Sequence, residues 1–269
     1  MPLAVCATPI GNLDDVTLRV LQELGAADLV LCEDTRRTRI LLDRHGIASR
    51  LLSYHQHNEA ARTADILPRL EAGERIALVS DAGLPGVNDP GARLITAALE
   101  AGIPVTVLPG ASAVETALVA SGLGAERYQF LGYLPRASAA LAALGDELTR
   151  WPHAAVAFES PQRILDSLAQ LGLALDARPV AVCRELTKRF EEVVRGTADD
   201  VAARLRKPVK GEITLVVGPA DLAVGAQEEA AASSAVAELV ASGVGRRAAA
   251  DLVARLTGVP RNTLYRSSL

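Results

Sequence analysis

The feature that most constrains the fold is a strand–helix alternation that starts at the third residue and continues to about residue 121. Leu3–Ala7, Asp28–Cys32, Arg50–Tyr54, Arg75–Val79 and Ile103–Leu108 are short apolar runs that read as strands. Between them, Asp14–Leu24, Thr38–His45, Asn58–Glu71 and Ala92–Ala101 carry helical spacing, and Ala111–Ser121 follows the last strand. In the first of these helices, Asp14 or Asp15 is the expected N-cap, with Leu18, Leu21 and Leu24 on one face. Strands joined through helices pair in parallel, so an α/β layer architecture is expected, with a mostly parallel N-terminal sheet of about five strands.

The second half has a different rhythm. Gln129–Tyr133, His153–Phe158 and Pro179–Arg184 read as strands, with helices over Ala137–Leu148 and Pro161–Leu171. Glu191–Arg195 and Glu212–Val217 are expected to form an antiparallel pair flanking a Thr197–Leu205 helix, which makes this C-terminal sheet mixed. The expected division is residues 1–118, 119–222 and a tail over 233–269, with Gly218–Ala232 as a linker of little periodicity. In the tail, Ala235–Ala241, Gly245–Leu256 and Arg261–Ser267 have the spacing of a small helix-turn-helix appendage, which is either a nucleic-acid contact or a helical cap.

Composition narrows the class. The net charge of −4 disfavours a general nucleic-acid coat, yet residues 230–269 hold five arginines against two acids, a net of +3 that leaves −7 for the rest. Lysine occurs only at 188, 207 and 210, so cation chemistry falls to arginine, which grips phosphate bidentately. Cys6, Cys32 and Cys183 are far apart and form neither a zinc pattern nor a disulfide framework. No apolar stretch is long enough for a bilayer, and the Pro2–Cys6 run reads as a first strand, not a signal peptide. A cytoplasmic protein with no membrane partner is expected.

Polar segments gather at the carboxyl ends of the expected strands, where parallel sheets bind ligands. Ser80–Gly91 is the most informative, with three glycines, two prolines and Asp81 where a strand stops. Ala7–Asn12, Cys32–Thr38, Tyr54–Glu59 and Leu108–Ala113 occupy equivalent places. The last opens a helix and offers free N–H groups to a ligand, but it lacks the spacing of a dinucleotide fingerprint or a P-loop. Glu33 and Asp34 are either paired acid–base carboxylates or the cap of the following helix. Arg36, Arg37 and Arg39 are either phosphate ligands or a solvated face. His55 and His57 have no third and fourth ligand at metal spacing, so hydrogen-bonding roles are expected and no metal is.

Taken together, Ala7–Leu13, Glu33–Arg36, His55–Glu59, Ser80–Gly91 and Pro109–Ala113 occur in the order that resembles the tetrapyrrole methylase superfamily. The nearest resemblance is to its RNA branch, carried also by Gly132–Arg136, Phe158–Arg163, Arg184–Lys188 and Lys210–Glu212. That resemblance implies two α/β domains, usually in a homodimer, with S-adenosyl-L-methionine between them. The implied partner is 16S rRNA or the small ribosomal subunit, and the implied reaction is methylation of the 2′-hydroxyl of a cytidine in its decoding region. It implies cofactor contacts at Pro9, Ile10, Gly11, Asp81, Ala82, Gly83, Leu84, Ser112 and Ala113, with Arg184, Glu185, Glu212 and Ile213 from the second domain.

A ribose hydroxyl needs a proton acceptor or oxyanion stabiliser, for which Glu33, Asp34, His57, Glu59, Glu159 and Lys188 are the candidates. Arg36, Arg37, Arg184, Arg189 and Arg261 are the candidate RNA contacts. Two competing readings are a carbon methylase of corrin or porphyrin precursors and a non-enzymatic helix-turn-helix regulator with a ligand-sensing body. The polar Glu33–Arg39 and His55–Glu59 segments disfavour the first, and the dense polar residues at several strand ends disfavour the second.

Overall fold

In the computed structural model, residues 2–124, 126–220 and 222–267 are described. The first sheet contains β1 (Leu3–Cys6), β2 (Leu29–Cys32), β3 (Leu51–Ser53), β4 (Ile76–Leu78) and β5 (Val105–Leu108), in the spatial order β3-β2-β4-β1-β5. Every pairing in it is parallel. Helices α1 (Leu18–Ala26), α2 (Thr35–Arg44), α3 (Glu59–Glu71) and α4 (Ala92–Glu100) connect these strands. Burial on both faces follows, with Leu3, Val5 and Leu31 in one core and Ala4, Cys6 and Val30 in the other.

The start of α1 differs from expectation. Asp14 and Asp15 fall in a short 3-10 turn capped by Asn12, and Thr17 caps α1, its hydroxyl accepting from Val20 N at 3.2 Å. Asn12 and Thr17 are both short polar capping side chains, and the extended Val16 between them separates two starts. The buried face becomes Val20 and Leu24, and Leu18 stands in solvent.

Helix α5 (Ala113–Ser121) follows β5 but packs on the second sheet, where Val114, Ala117 and Leu118 meet Val156, Ala181 and Val216. That sheet contains β6 (Tyr128–Tyr133), β7 (Ala154–Glu159), β8 (Val180–Arg184), β9 (Glu192–Gly196) and β10 (Ile213–Val217), in the order β6-β7-β10-β8-β9. It is mixed, as expected, with β6 parallel to β7 and the other pairings antiparallel. The expected direct pairing of the last two strands does not occur, because β8 lies between β9 and β10. Burial explains this: β10 is buried at every position and needs neighbours on both sides, whereas β9 has a single buried position, Val194, and suits an edge. Helices α6 (Ser138–Arg150), α7 (Ile164–Leu175) and α8 (Ala198–Arg204) cover the other face.

The expected linker is also replaced. Helix α9 runs over Leu222–Ala241, so the alanine-rich stretch folds on propensity despite its weak apolar periodicity. It is followed by α10 (Arg246–Thr257) and α11 (Arg261–Ser267), and the three share a small core around Val236, Ala250 and Leu264. Among the described residues, no helix is long and apolar enough to cross a membrane.

Candidate active site in the cleft between the sheets

The connections leave β1 and β4 in opposite directions along the first sheet, so their carboxyl ends form the crevice where open parallel sheets hold ligands. The loops there are tied together. Thr8 N donates to Gly83 O at 2.8 Å, Gly83 N returns to Thr8 O at 3.0 Å, and the Thr8 hydroxyl donates to Ser80 O at 3.0 Å. The far end of the Ser80–Gly91 loop is held by Glu59, whose Oε1 accepts from Gly91 N at 3.0 Å and from the buried Tyr54 hydroxyl at 3.2 Å. Gly91 sits at φ 137°, and a Cβ there would lie 2.9 Å from Leu78 Cδ2, so this turn requires glycine.

The second half closes on the first through the loop after β8. At Gly11 a Cβ would lie 2.6 Å from Lys188 Cγ and 2.9 Å from the Leu186 carbonyl oxygen. Asn12 N donates to Thr187 Oγ1 at 2.9 Å across the same contact. Lys188 Nζ lies 3.0 Å from Glu185 Oε1 and 2.9 Å from Glu212 Oε2. Burial opposes its charge, but hydrogen bonds to Glu212 and Glu185 outweigh that and hold the ammonium above its ordinary range.

Between the halves lies a cavity of about 690 Å³, and beside it a smaller one of about 250 Å³. Ile10, Ala82 and Glu212 line both. Of the residues that the resemblance assigns to a cofactor, Gly83, Leu84, Ser112, Ala113 and Ile213 line only the larger, and Pro9, Gly11 and Asp81 line only the smaller. Arg184 and Glu185 line neither. Arg184 Nε donates to Glu192 Oε2 at 3.0 Å, and Glu185 is occupied by Lys188 Nζ and Glu212 N.

The candidate proton acceptors separate. Asp34 caps α2, its Oδ1 accepting from Arg36 N at 2.8 Å while Arg36 Nη2 reaches its Oδ2 at 2.7 Å. The Arg36 side-chain and backbone hydrogen bonds hold the Asp34 carboxyl down at about 2, which makes it a weak base. Glu59 is used by the loop brace, and His57 stands exposed, edge-on to His55. Glu159 lines the large cavity, but its carboxylate accepts from Ser160 N at 2.7 Å and Ser167 Oγ at 2.6 Å and pairs with Arg163 at 3.0 Å. Lys188 lines the smaller cavity as a paired cation. Glu33 lines neither cavity; burial, then repulsion from Asp81, raises its carboxyl above the usual range. Asp81 accepts from Asp34 N at 3.0 Å and lies 3.4 Å from Arg37.

Residues without a role in the sequence reading complete the lining. Phe130 and Phe158 meet edge-on at 5.0 Å and Tyr133 and Phe158 at 5.6 Å, giving the second sheet an aromatic wall. Glu115, one turn into α5, takes hydrogen bonds from Ser112 and Tyr128 that outweigh its burial and keep its carboxyl low. Asp89 is the remaining addition. Burial, then repulsion from Glu33, raises it to about 6, against a hydrogen bond with Ser80. Asp89 lies within the Ser80–Gly91 loop, so the signal was the loop itself; the aromatics sit in β6 and near the end of β7, and a register irregularity between Phe130 and Tyr133 hides their common wall from an alternation pattern.

The arginines expected to meet RNA also differ in availability. Arg36 is bound to Asp34, Arg37 leans on Asp81 and Arg261 pairs with Asp251 at 2.5 Å. Arg189 is exposed and stacks over Phe190 at 5.7 Å.

Known proteins resemble this arrangement over nearly all its length. Residues 2–202 match the family described as Tetrapyrrole (Corrin/Porphyrin) Methylases. A ribosomal RNA small subunit methyltransferase I from Micromonospora olivasterospora is 43% identical over 98% of this chain and 85% of its own. One from Halalkalibacterium halodurans is 40% identical over 98% of this chain and 93% of its own. The fold matches a crystal structure of uroporphyrin-III C-methyltransferase from Thermus thermophilus complexed with S-adenosylhomocysteine, with a TM-score of 0.58 and 17% identity over 80% of this chain and 96% of that one. The chain therefore belongs to the tetrapyrrole methylase family, on its ribosomal RNA small subunit methyltransferase I branch.

Proposed function

We propose that the protein uses S-adenosyl-L-methionine to methylate ribosomal RNA of the small subunit, at the 2′-hydroxyl of a cytidine in the decoding region of 16S rRNA. The observation that carries this reading is identity of 38–43% to small subunit methyltransferases I over 98–99% of the chain. The reading keeps two α/β units, a helical tail and a cytoplasmic homodimer, but moves the boundaries expected at 118 and 233 to the loop before α5, which packs on the second sheet, and to the start of α9 at Leu222. Exposed Val107 on edge strand β5 and exposed Val119 on α5 are compatible with a partner surface.

The residues present suit the cofactor. Helix α5 starts beside the cavity without a side-chain cap from Ser112, so its N-terminal end can meet a polar group of the cofactor. Phe130, Phe158 and Ile213 give an apolar wall for a flat ring system. Gly110 lets its loop approach β1, since a Cβ there would stand 2.8 Å from Ala7 Cβ. When bound, the cofactor supplies a methyl group made electrophilic by the adjacent sulfonium. The chain positions the hydroxyl, excludes water and removes a proton. Ile10, Ala82, Gly83, Leu84, Ser112 and Ala113 would hold the cofactor from one side and Gly211 to Thr214 from the other. Lys188, kept cationic between Glu185 and Glu212, fixes the position of Glu212, which lines both cavities. Recognition of RNA rests on backbone and shape more than on stacking, because the chain has only eight Phe, Trp and Tyr residues.

The test incubates the protein with methyl-labelled S-adenosylmethionine and, separately, naked 16S RNA, small subunits or tetrapyrrole precursors. Label on a decoding-region ribose is the expected result, and the better RNA arm identifies the physical substrate. Label confined to tetrapyrroles would overturn the reading.

A further inference from the structure

Two adjoining loops extend from the second sheet, one joining β8 to β9 and the other joining α8 to β10. They are fastened to each other: Glu185 N donates to Glu212 O at 3.0 Å, and Arg184 Nη1 donates to Lys210 O at 3.3 Å. All three lysines of the chain lie on them, and residues 184–192 and 206–212 carry six cations against four acids in a protein of net charge −4. The acids are engaged internally. Glu185 and Glu212 hold Lys188, Glu192 holds Arg184, and Glu191 accepts from Thr187 N at 2.6 Å. Arg189, Arg206, Lys207 and Lys210 are exposed and, among the described residues, form no ion pair. The charge left facing solvent is therefore positive.

Phe190 stands at the tip of the first loop. Glu191 N donates to Lys188 O at 3.0 Å, which closes a turn with Arg189 and Phe190 at its corners. Phe190 is 67% exposed and joins none of the apolar clusters. The Arg189 guanidinium lies over its ring, 5.7 Å from the centroid. The turn is pinned from behind by Thr187, whose Oγ1 accepts from Asn12 N at 2.9 Å, and by the two ion pairs of Lys188. The ring is thus held in place before anything binds, which lowers the ordering cost of a contact. Lys188 lines the smaller cavity, and Phe190 follows it by two residues, at most about 7 Å of backbone. A single exposed apolar side chain is ordinary. A fixed aromatic ring beside the cleft, carrying a cation and set among unpaired positive charge, has the composition of a platform for single-stranded nucleic acid.

We propose that Phe190 stacks on an unpaired base neighbouring the methylated nucleotide, while Arg189 and Lys210 meet the phosphates beside it, a role that rests on the function proposed above. Unpaired RNA supplies both complements, a flat apolar face for the ring and negative charge for the cations, whereas a duplex hides its base faces. Stacking on an aromatic ring accepts every base, so the platform fixes where the strand lies and leaves the identity of that base open.

The test compares wild type with Phe190→Ala, Phe190→Trp and Lys210→Ala on small subunits or naked 16S RNA, whichever the wild type labels. Methyl transfer and RNA binding are measured across salt concentrations, with calorimetry of S-adenosylmethionine and sedimentation of each protein. Phe190→Ala is expected to weaken RNA binding and raise KM for RNA about tenfold, the loss of one stacked base. Its salt slope is expected to equal that of wild type, because no charge is removed. Phe190→Trp is expected to stay within about threefold of wild type, since it keeps a stacking face. Lys210→Ala is expected to reduce the salt slope by about one phosphate contact. Cofactor affinity and oligomeric state are expected to be unchanged in every variant. Wild-type RNA affinity in Phe190→Ala, or a loss that Phe190→Trp shares, overturns this inference alone. An altered oligomeric state in Phe190→Ala also overturns it, by assigning the ring to a contact between copies. A wild type that labels no RNA overturns the function and this inference together.

Discussion

A methyl group added at Gly11 has no room. It would meet Lys188 Cγ at 2.6 Å, Thr187 Oγ1 at 2.7 Å and the Leu186 carbonyl oxygen at 2.9 Å, and only the first of these ends on a flexible chain. Gly11→Ala is expected to cost about 1–3 kcal/mol, the usual range for overpacking, read as a lower denaturation midpoint with weakened cofactor binding. Wild-type stability would show that the loops are not in this contact. Asp89 has the opposite sign. Its carboxyl titrates higher folded, near 6, than the value near 4 of an unfolded chain, so between those values the folded state holds the extra proton and stability falls as pH rises. Asp89→Asn is expected to melt above wild type at pH 7, with the gap closing below about pH 4. A gap that does not change with pH would contradict the raised titration. Sequence alone left Glu33 and Asp34 as either acid–base carboxylates or a cap. The structure shows Asp34 in the cap, its Oδ1 accepting from Arg36 N, with the Arg36 guanidinium folded back on the same carboxylate.

At the scale of elements, strand positions were legible because each parallel strand is an apolar run bounded by turn residues, and β1, β2 and β5 fall within their expected segments. Sheet order was less legible, since which strands become neighbours depends on how helices pack over them; β9 and β10 were set side by side although β8 separates them. The first half of α9 reads as a linker because propensity alone, without an apolar stripe, marks it, whereas its end over Ala235–Ala241 was legible. The Ser80–Gly91 loop stood out early, but its brace did not, since Glu59 lies far from it in sequence. Glu59→Ala removes the acceptor shared by Tyr54 and Gly91. The expected loss is about 1–3 kcal/mol, with faster amide exchange over residues 80–91 and weaker cofactor binding. Unchanged exchange there would mean that the loop holds its shape without this carboxylate.

Across the whole molecule, positive charge is unevenly available. Arg36 is neutralised by Asp34 and Arg261 by Asp251, whereas Arg189 projects into solvent over Phe190. Arg189→Ala is therefore expected to weaken RNA binding and reduce its salt slope by about one phosphate contact, while Arg36→Ala changes the slope less. Equal slopes for the two variants would mean that ion pairing within the protein does not govern contact with RNA. The basic tail was legible as three helices from glycine and proline punctuation, and α10 and α11 fall where expected.

Helix α5 begins at the floor of the cleft, one loop after β5 of the first sheet, yet its buried side chains belong to the core of the second. The segment that bridges the two halves is thus rigidly embedded in one of them, with little free tether between. Relative motion of the halves would carry α5 along in its bed and bend the short Pro109–Ser112 connection, so access to the crevice depends on that hinge and on the contact of Gly11 with the loop after β8.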